Sequence, residues 1–218
     1  MTSDMRFVWD ATGANIGGLT IPPGIGTAGY MTGSAGVPWT MNQWIAHPGA
    51  VRIDQSPVNT PADETADAAD FETGAVLLGD LPGWYHAARI SYANGTRPGQ
   101  RQPAIYCSYS ARTQVVNKLI AAGITSGPRL WIADWDLTVN ELHDILTRSG
   151  GPFPVIGVQL HNAGTHDVNL MLTSWLDTVS RPPTPPNPFP LNQKGVIVSY
   201  TTQGRRDVTS NDHGTTWR

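Results

Sequence analysis

The chain has few of the features that mark several common classes of protein. Its 218 residues include a single cysteine, Cys107, which excludes an internal disulfide framework and a multi-cysteine metal site. Charged residues make up 14% of the chain and the net charge is −3, which argues against a nucleic-acid-binding surface and a polybasic membrane patch. We therefore expect no nucleic acid and no membrane among its partners.

Long apolar runs are also missing. No stretch approaches the length of a membrane span, and the first residues lack the basic and apolar regions of a secretory signal. We therefore expect the chain to remain in the cytoplasm where it is made, unless another protein delivers it outside the cell.

Residues that form turns and aromatic contacts are abundant instead: 23 glycines, 18 prolines and eight tryptophans. Short apolar runs alternate with helical segments, which predicts an α/β fold, specifically an irregular TIM-like (β/α) barrel of parallel strands over residues 1–180. The predicted strands are 6–10, 50–54, 66–72, 103–107, 129–134 and 155–160. The predicted helices are 81–93, 111–122 after an N-cap at Ser110, and 139–147 with a capping box at Glu141. Residues 11–49 are predicted to be irregular.

Several predicted strands end on an acidic residue, namely Asp10, Asp54, Glu72 and Asp134. In a barrel of parallel strands, the carboxyl ends and the loops after them form the active face. A carboxylate at such a position is costly unless it meets water or a ligand. The pattern therefore predicts a site at this rim.

Asp70 and Glu72 are the most informative pair in the chain. Side chains alternate between the faces of a strand, so two acids that are two residues apart project from the same face. Each can then raise the proton affinity of the other, as a general acid requires. Glycosidic bond cleavage uses such a pair, although paired acids at a strand end are also common in solvated turns and helix N-caps.

Residues 181–190 read Arg-Pro-Pro-Thr-Pro-Pro-Asn-Pro-Phe-Pro, which cannot form a helix or a central strand. We predict an extended linker here. The tail, residues 191–218, contains a β-rich run at 195–200 and turn signals at Gln203-Gly204 and 211–214. It is too small for a core of its own, so we expect it to dock on the barrel, bind a partner or oligomerise.

Across residues 6–180 the chain resembles the family 25 glycoside hydrolases, the muramidases that include many bacteriophage endolysins, and related barrels of actinobacteria and their phages. The resemblance rests on the order and spacing of six segments. They are Phe7-Val8-Trp9-Asp10, Asp70-x-Glu72, Ala104-Ile105-Tyr106, Leu130-Trp131-Ile132-Ala133-Asp134-Trp135, Val158-Gln159-Leu160 and His166-Asp167-Val168-Asn169.

The resemblance implies an irregular α/β barrel that hydrolyses the β-1,4 bond after N-acetylmuramic acid in peptidoglycan. By position, Glu72 matches the general acid, Asp70 its partner carboxylate, Asp10 the first-strand acid and Asp167 a late acid. The acetamido group of the substrate would attack the anomeric carbon, and an Asp would orient and stabilise that group. No metal or cofactor is implied.

We assign substrate-binding positions to polar and aromatic residues at or near the strand ends, namely Asp54, Tyr106, Trp131, Asp134, Trp135, Gln159 and His161. For Trp131 and Tyr106 a place in the barrel core is an equally good interpretation. The expected partner is the peptidoglycan glycan strand, with other phage structural proteins or a second copy of the chain as candidates for the tail. The protein would be synthesised in the host cytoplasm and act on the bacterial cell wall, as a free lysin or as part of the virion.

Three other motifs have simpler explanations. Residues 24–29 fit G-x-G-x-x-G, but Pro22 and Pro23 precede them and no clear helix follows, so a loop is favoured over a dinucleotide site. Cys107 could be a peptidase nucleophile, but it ends an apolar strand and is expected to be buried. His161 and His166 lack the compact ligand set of a zinc amidase.

A rival from another class is a non-catalytic structural or glycan-binding module of a phage tail. The Pro-rich linker and the β-rich tail favour assembly into a larger particle. Turnover of cell-wall polymer separates the two hypotheses.

Overall fold

Eight strands close into one barrel. The computed structural model describes residues 5–32, 37–55, 65–72, 75–93, 101–135, 141–142, 145, 151–177, 196–201 and 204–209. The chain divides into two units, Met1–Pro186 and Asn187–Arg218. The predicted linker, 181–190, and the turn signal at 211–214 lie outside the described residues.

The barrel strands follow one another in chain order, β1 to β8, and β8 pairs with β1 to close the ring. Their bounds are β1 Met5–Ala11, β2 Gly26–Tyr30, β3 Val51–Asp54, β4 Ala68–Phe71, β5 Ala104–Ser108, β6 Arg129–Ala133, β7 Val155–Asn162 and β8 Asp167–Leu172. The first seven strands are parallel to one another, whereas β8 is antiparallel to both β7 and β1. The fold is therefore a mixed α/β barrel.

The expectation of a wholly parallel barrel is wrong at β8 for a geometric reason. Only four residues separate β7 from β8, and Asn162 pairs with Asp167 across the turn. Such a short connection makes a hairpin, because a parallel crossover needs a dozen residues or more. The sequence-based prediction omitted β8 and ended β7 at residue 160.

The helices in the described part of the barrel unit are few and mostly short. They are α1 Gly13–Ile16, α2 Met41–Ala46, α3 Leu81–Ala93, α4 Arg112–Ala121 and α5 Thr173–Leu176. The prediction for α3 has the same bounds as the structure. At α4 the predicted cap is wrong: Ala111 is the N-cap residue, and its N–H donates to Ser108 Oγ at 3.2 Å. Most of the predicted helix 139–147 lies outside the described residues.

The segment predicted to be irregular contains β2, α1 and α2. The strand β2 was not predicted because glycine is uncommon in strands, and Gly29 is required here for packing. A Cβ at Gly29 would lie 2.1 Å from Cε2 of Trp39, so only glycine lets this ring pack against the strand. The G-x-G-x-x-G segment is thus not a free loop, since its last four residues belong to β2.

Alternation along the strands separates the barrel interior from an outer layer. Ala68, Ala104 and Trp131 pack in an inner cluster, while their strand neighbours Ala69 and Ile105 pack in an outer cluster with the helices. The small alanines of β4 and β5 leave space for larger rings inside.

Cys107 belongs to the outer cluster and is fully buried. Burial raises the pKa of its thiol to about 12. It is a core residue, which disfavours the nucleophile hypothesis.

The second unit contains β9 Val196–Thr201 and β10 Gly204–Thr209, which form a two-stranded antiparallel sheet. The helices of the described ranges do not combine the length and apolar character needed to cross a bilayer.

A buried ion pair fixes the amino-terminal end of the barrel. Arg101 Nη1 lies 3.1 Å from Asp67 Oδ2, and both side chains are almost fully buried. The same guanidinium donates to the carbonyl oxygens of Gly49 and Leu176 at 2.8 and 3.2 Å. Asp67 Oδ2 also accepts the Arg52 N–H at 2.9 Å. These bonds join four segments that are distant in sequence.

We expect Arg101→Met to lower the free energy of unfolding by about 3–5 kcal/mol, because Asp67 would keep a buried charge without its cation. The control is Arg6→Met, which breaks the 3.0 Å pair with Asp177 on the exposed surface and should cost about 0–1 kcal/mol. Urea denaturation followed by tryptophan fluorescence measures both. Equal losses in the two variants would contradict the assigned role of the buried pair.

Candidate active site

Four carboxyl groups meet in one pocket at the carboxyl-end rim of the barrel. Asp10 on β1, Asp70 on β4, Glu72 just after β4 and Asp167 at the start of β8 all line it. The cavity volume is about 220 Å³. The remaining lining residues are aromatic, amide-bearing or aliphatic, and they are Tyr30, Ile53, Tyr106, Trp131, Trp135, Gln159 and Asn162. The four residues predicted to be catalytic are therefore neighbours in the structure.

The reversed direction of β8 explains how Asp167 joins the other acids. Because β8 is antiparallel, its first residue lies at the rim where the parallel strands end. Asp10 and Asp167 are directly paired across β1 and β8. Asp70 is the third residue of β4, and Glu72 follows the strand by one residue, so the expected period of two holds for the pair.

Asp10 lies at the bottom of the pocket and is held by two donors. Tyr30 Oη donates to Oδ1 at 3.0 Å, and Asn169 Nδ2 donates to Oδ2 at 2.6 Å. Burial, followed by repulsion from Asp167, raises the pKa of Asp10 to about 8 despite these bonds. Asp10 therefore carries a proton at neutral pH.

Asp70 is also buried, with 3% of its surface exposed. Gln55 Nε2 donates to Oδ2 at 2.7 Å, whereas buried Oδ1 has no hydrogen-bond partner among the described residues. Burial and then repulsion from Glu72 raise the pKa of Asp70 to about 7. A buried polar atom without a partner is rare in proteins, and here it belongs to a residue that lines the pocket.

Glu72 and Asp167 lie nearer to solvent. Glu72 is exposed, and partial loss of hydration is the largest cause that raises its pKa, with repulsion from Asp167 as a further cause. Partial burial likewise raises the pKa of Asp167. The pocket thus combines two buried aspartates, whose pKa values are raised to about 8 and about 7, with two acids nearer to solvent.

A polar network stiffens the wall opposite Asp10. The Tyr106 hydroxyl donates a short hydrogen bond to Gln159 Oε1, and Trp135 Nε1 donates to the same oxygen at 3.2 Å. Burial raises the pKa of Tyr106 far above its ordinary value, so the phenol stays protonated. Trp135 is 60% exposed beside the pocket, which leaves its ring free to stack on a sugar. Trp131, in contrast, is fully buried.

Three residues predicted to bind substrate do not line the pocket. Asp54 points to the outer side of the barrel, where it accepts hydrogen bonds from Thr32 Oγ1 at 2.6 Å and Trp84 Nε1 at 3.2 Å. The substrate-binding prediction for Asp54 is therefore wrong, because alternation along β3 turns it away from the interior. Asp134 and His161 also lie outside the lining, although His161 is near enough to lower the pKa of Asp167.

Sequence reasoning missed four residues that support the acids, namely Tyr30, Gln55, Asn162 and Asn169. Asn169 is fully buried and accepts a hydrogen bond from Trp131 Nε1 at 3.0 Å while it donates to Asp10. The available signal was its position two residues after Asp167, on the same face of a strand. Tyr30 was missed because its strand was predicted to be irregular.

The described residues contain no group of three or more His, Cys, Asp or Glu arranged to hold a metal ion. The carboxyl groups instead accept hydrogen bonds from phenol and amide groups. The chemistry that this arrangement can perform is proton transfer and stabilisation of positive charge.

Comparison with known proteins shows the fold alone. No protein-family model and no curated protein sequence matches the chain. Among solved structures, the chain is similar to an uncharacterized B. stearothermophilus protein whose crystal structure is at 1.07 Å, with a TM-score of 0.51 and 13% sequence identity. The match covers 80% of this chain and 99% of that chain, so it supports the barrel architecture.

The raised pKa of Asp10 predicts a dependence of stability on pH. Between the ordinary aspartate pKa of 3.8 and about 8, the folded chain holds a proton that the unfolded chain releases. The free energy of unfolding should therefore fall as pH rises through this range. We expect Asp10→Asn to flatten the curve of Tm against pH between 4 and 8. Asp70→Asn should flatten it over a range that ends near pH 7. Curves parallel to that of the unsubstituted protein for both variants would contradict the assignment.

Proposed function

We propose that the protein is a peptidoglycan hydrolase with a TIM-like barrel related to the family 25 glycoside hydrolases. In this proposal it cleaves the β-1,4 bond after N-acetylmuramic acid. The observation that supports it most is the meeting of Asp10, Asp70, Glu72 and Asp167 in one pocket with raised pKa values. Glycosidic cleavage requires a carboxylic acid that keeps its proton beside carboxylates that can face a cationic transition state.

Glu72 is the proposed general acid and base. It lies at the pocket mouth, where a leaving oxygen and then a water molecule can reach it. Its proton passes to the glycosidic oxygen as the bond from the anomeric carbon to that oxygen breaks and the acetamido oxygen of the substrate bonds to the anomeric carbon. In the second step its carboxylate takes a proton from water as the water oxygen bonds to the anomeric carbon and the bond from the acetamido oxygen to that carbon breaks, and this restores the acid.

Asp70 is the proposed partner of the substrate acetamido group. Its carboxyl group lines the pocket, and an acetamido N–H is the kind of donor it can accept. This bond would orient the acetamido oxygen toward the anomeric carbon, and the carboxylate would stabilise the positive charge that develops on the resulting ring. Asp167 adds negative charge from β8, whereas protonated Asp10 and its donors keep the floor of the pocket in position.

The proposed partner is the glycan strand of the bacterial cell wall, and the chemistry above uses no metal or cofactor. The protein would be made in the host cytoplasm and reach the wall as a free lysin or as a virion component. The exposed ring of Trp135 beside the pocket also favours the rival function, a glycan-binding module of a phage tail without turnover.

We expect Glu72→Gln to abolish clearing of purified peptidoglycan, because Gln cannot donate a proton to the leaving oxygen. Its melting curve should stay nearly unchanged, since Glu72 is exposed. The matched control is Glu141→Gln, an exposed position that does not line the pocket, and it should clear at the rate of the unsubstituted protein.

A turbidity assay measures clearing, and co-sedimentation with insoluble peptidoglycan measures binding. Full clearing by Glu72→Gln would remove this residue from the mechanism. Binding without clearing by the unsubstituted protein would favour the glycan-binding module.

A further inference from the structure

A tyrosine hydroxyl without a hydrogen-bond partner lies beside the segment that leads into β6. It belongs to Tyr85 on α3, whose ring packs in the outer apolar cluster and whose surface is only 2% exposed. Tyr85 Oη makes no hydrogen bond with the described part of the chain. The hydroxyl of a buried tyrosine usually has a partner, so this one is a donor that lacks an acceptor.

Gly127 fixes the place of this hydroxyl. It lies two residues before β6 and has a φ of +105°, a conformation that favours glycine. A Cβ on Gly127 would overlap Tyr85 Oη, so only glycine leaves room for the hydroxyl. Tyr85 therefore reaches from α3 to the amino-terminal end of β6, at the end of the barrel opposite the acid pocket.

Two guanidinium groups lie near the same hydroxyl. Arg89 is one helical turn after Tyr85 on α3, and Arg129 is the first residue of β6, two residues after Gly127. Burial raises the pKa of Tyr85, whereas the positive charges of Arg89 and Arg129 lower it. Both charges therefore act on the hydroxyl.

Arg129 is held in position by the segment that also holds Tyr85. Its Nε donates to Gln102 Oε1 at 2.8 Å, and Gln102 Nε2 donates to the Gly127 carbonyl oxygen at 2.8 Å. The two Nη groups of Arg129 find no acceptor among the described residues. Donors that are already ordered lose little entropy when a ligand binds.

No described acid neutralises the two guanidinium groups. Asp67 and Asp177, the described acids at this end of the barrel, are paired with other arginines. Within the described ranges, Arg89 and Arg129 form no ion pair, and Arg89 is exposed to solvent. Two positive charges and a hydroxyl donor thus meet at a place that solvent reaches from the side of Arg89.

These donors restrict the class of ligand to an oxyanion. A guanidinium presents its N–H groups as a planar fork that matches the oxygens of phosphate or carboxylate. Here three donor groups come from a helix turn, a helix interior and a strand, so they approach a ligand from separate directions. A carboxylate has two oxygens in one plane, whereas a phosphate group carries its oxygens at the corners of a tetrahedron. The arrangement therefore favours phosphate.

We propose that Tyr85, Arg89 and Arg129 form a binding site for a phosphate group, either free or as part of a larger ligand. This inference goes beyond the proposed function, because the site lies away from the acid pocket and takes no part in cleavage of a glycosidic bond.

The test is isothermal titration calorimetry of the full chain with inorganic phosphate, at an ionic strength held constant with chloride. Arg89→Gln removes one guanidinium from an exposed position, and Tyr85→Phe removes the hydroxyl while keeping the ring. The matched control is Arg112→Gln. It removes the same charge from the first residue of α4, where the guanidinium lies over the ring of Tyr109.

We expect the Kd for phosphate to rise about tenfold in Arg89→Gln and in Tyr85→Phe, because each loses a hydrogen bond to a charged ligand. It should stay unchanged in Arg112→Gln. Equal affinities in all four proteins overturn the inference. So does the lack of saturable binding by the unsubstituted protein up to about 10 mM phosphate.

Melting curves in phosphate-free buffer separate lost binding from a damaged fold. Tyr85→Phe should melt with the unsubstituted protein, since the hydroxyl has no described partner to lose. If it melts earlier, Arg89→Gln decides the question, because its side chain is exposed.

The same titration with dimethyl phosphate and with acetate identifies the ligand more closely. Tighter binding of inorganic phosphate indicates free phosphate or a phosphomonoester, and tighter binding of dimethyl phosphate indicates a phosphodiester; both support the site. Acetate binding as tight as that of phosphate overturns the assignment. None of these measurements requires turnover, so failure of the proposed hydrolase function would be seen separately, as absence of peptidoglycan clearing.

Discussion

The hydrogen bonds of Asn169 connect the closure of the barrel to its chemistry. This fully buried amide donates to Asp10 Oδ2 at 2.6 Å and to the Val8 carbonyl oxygen at 3.2 Å, and it accepts from Trp131 Nε1 at 3.0 Å. One side chain of β8 therefore contacts an acid and the backbone of β1 and a ring of β6 across the interior. Without β8 the sheet would have two open edges and Asp10 would lose its strongest donor. The same side chain therefore helps to close the barrel and orients Asp10, the most deeply buried acid.

The acids that meet in this pocket oppose the stability of the fold. Each of Asp10 and Asp70 is removed from water and lies near other carboxyl groups, so both hold protons that an exposed aspartate would release. Compensation lies at the opposite end of the barrel, where Asp67 and Arg101 form a buried ion pair with several backbone partners. Because the two clusters are separate, one end of the barrel holds the strands together while the other end holds the buried acids.

Much of the rim could be predicted from the sequence because its signals are local. Asp70 and Glu72 are two residues apart, and the acids at strand ends follow from alternation of apolar and polar residues. Features that depend on contacts between residues distant in sequence could not be predicted. Gly29 makes β2 look like a loop until Trp39 is seen to pack on it, and the direction of β8 is set by the hairpin. The substrate-binding prediction for Asp54 was wrong because a position at a strand end does not show which face of the sheet the side chain occupies. Its partners, Thr32 and Trp84, lie outside the barrel wall.

The short length of β4 has a consequence for how this chain can change over evolutionary time. Within four residues, Ala68 and Asp70 face inward while Ala69 and Phe71 pack outward. Removal or addition of one residue in this stretch would exchange the two faces. The ring of Phe71 would then enter the pocket, and the carboxylate of Asp70 would enter the outer apolar cluster beneath the helices. Single substitutions in β4 keep the two faces of the strand, whereas an insertion or a deletion exchanges them. Relatives of this chain should therefore differ in the loops on either side of β4 and keep the number of residues in the strand.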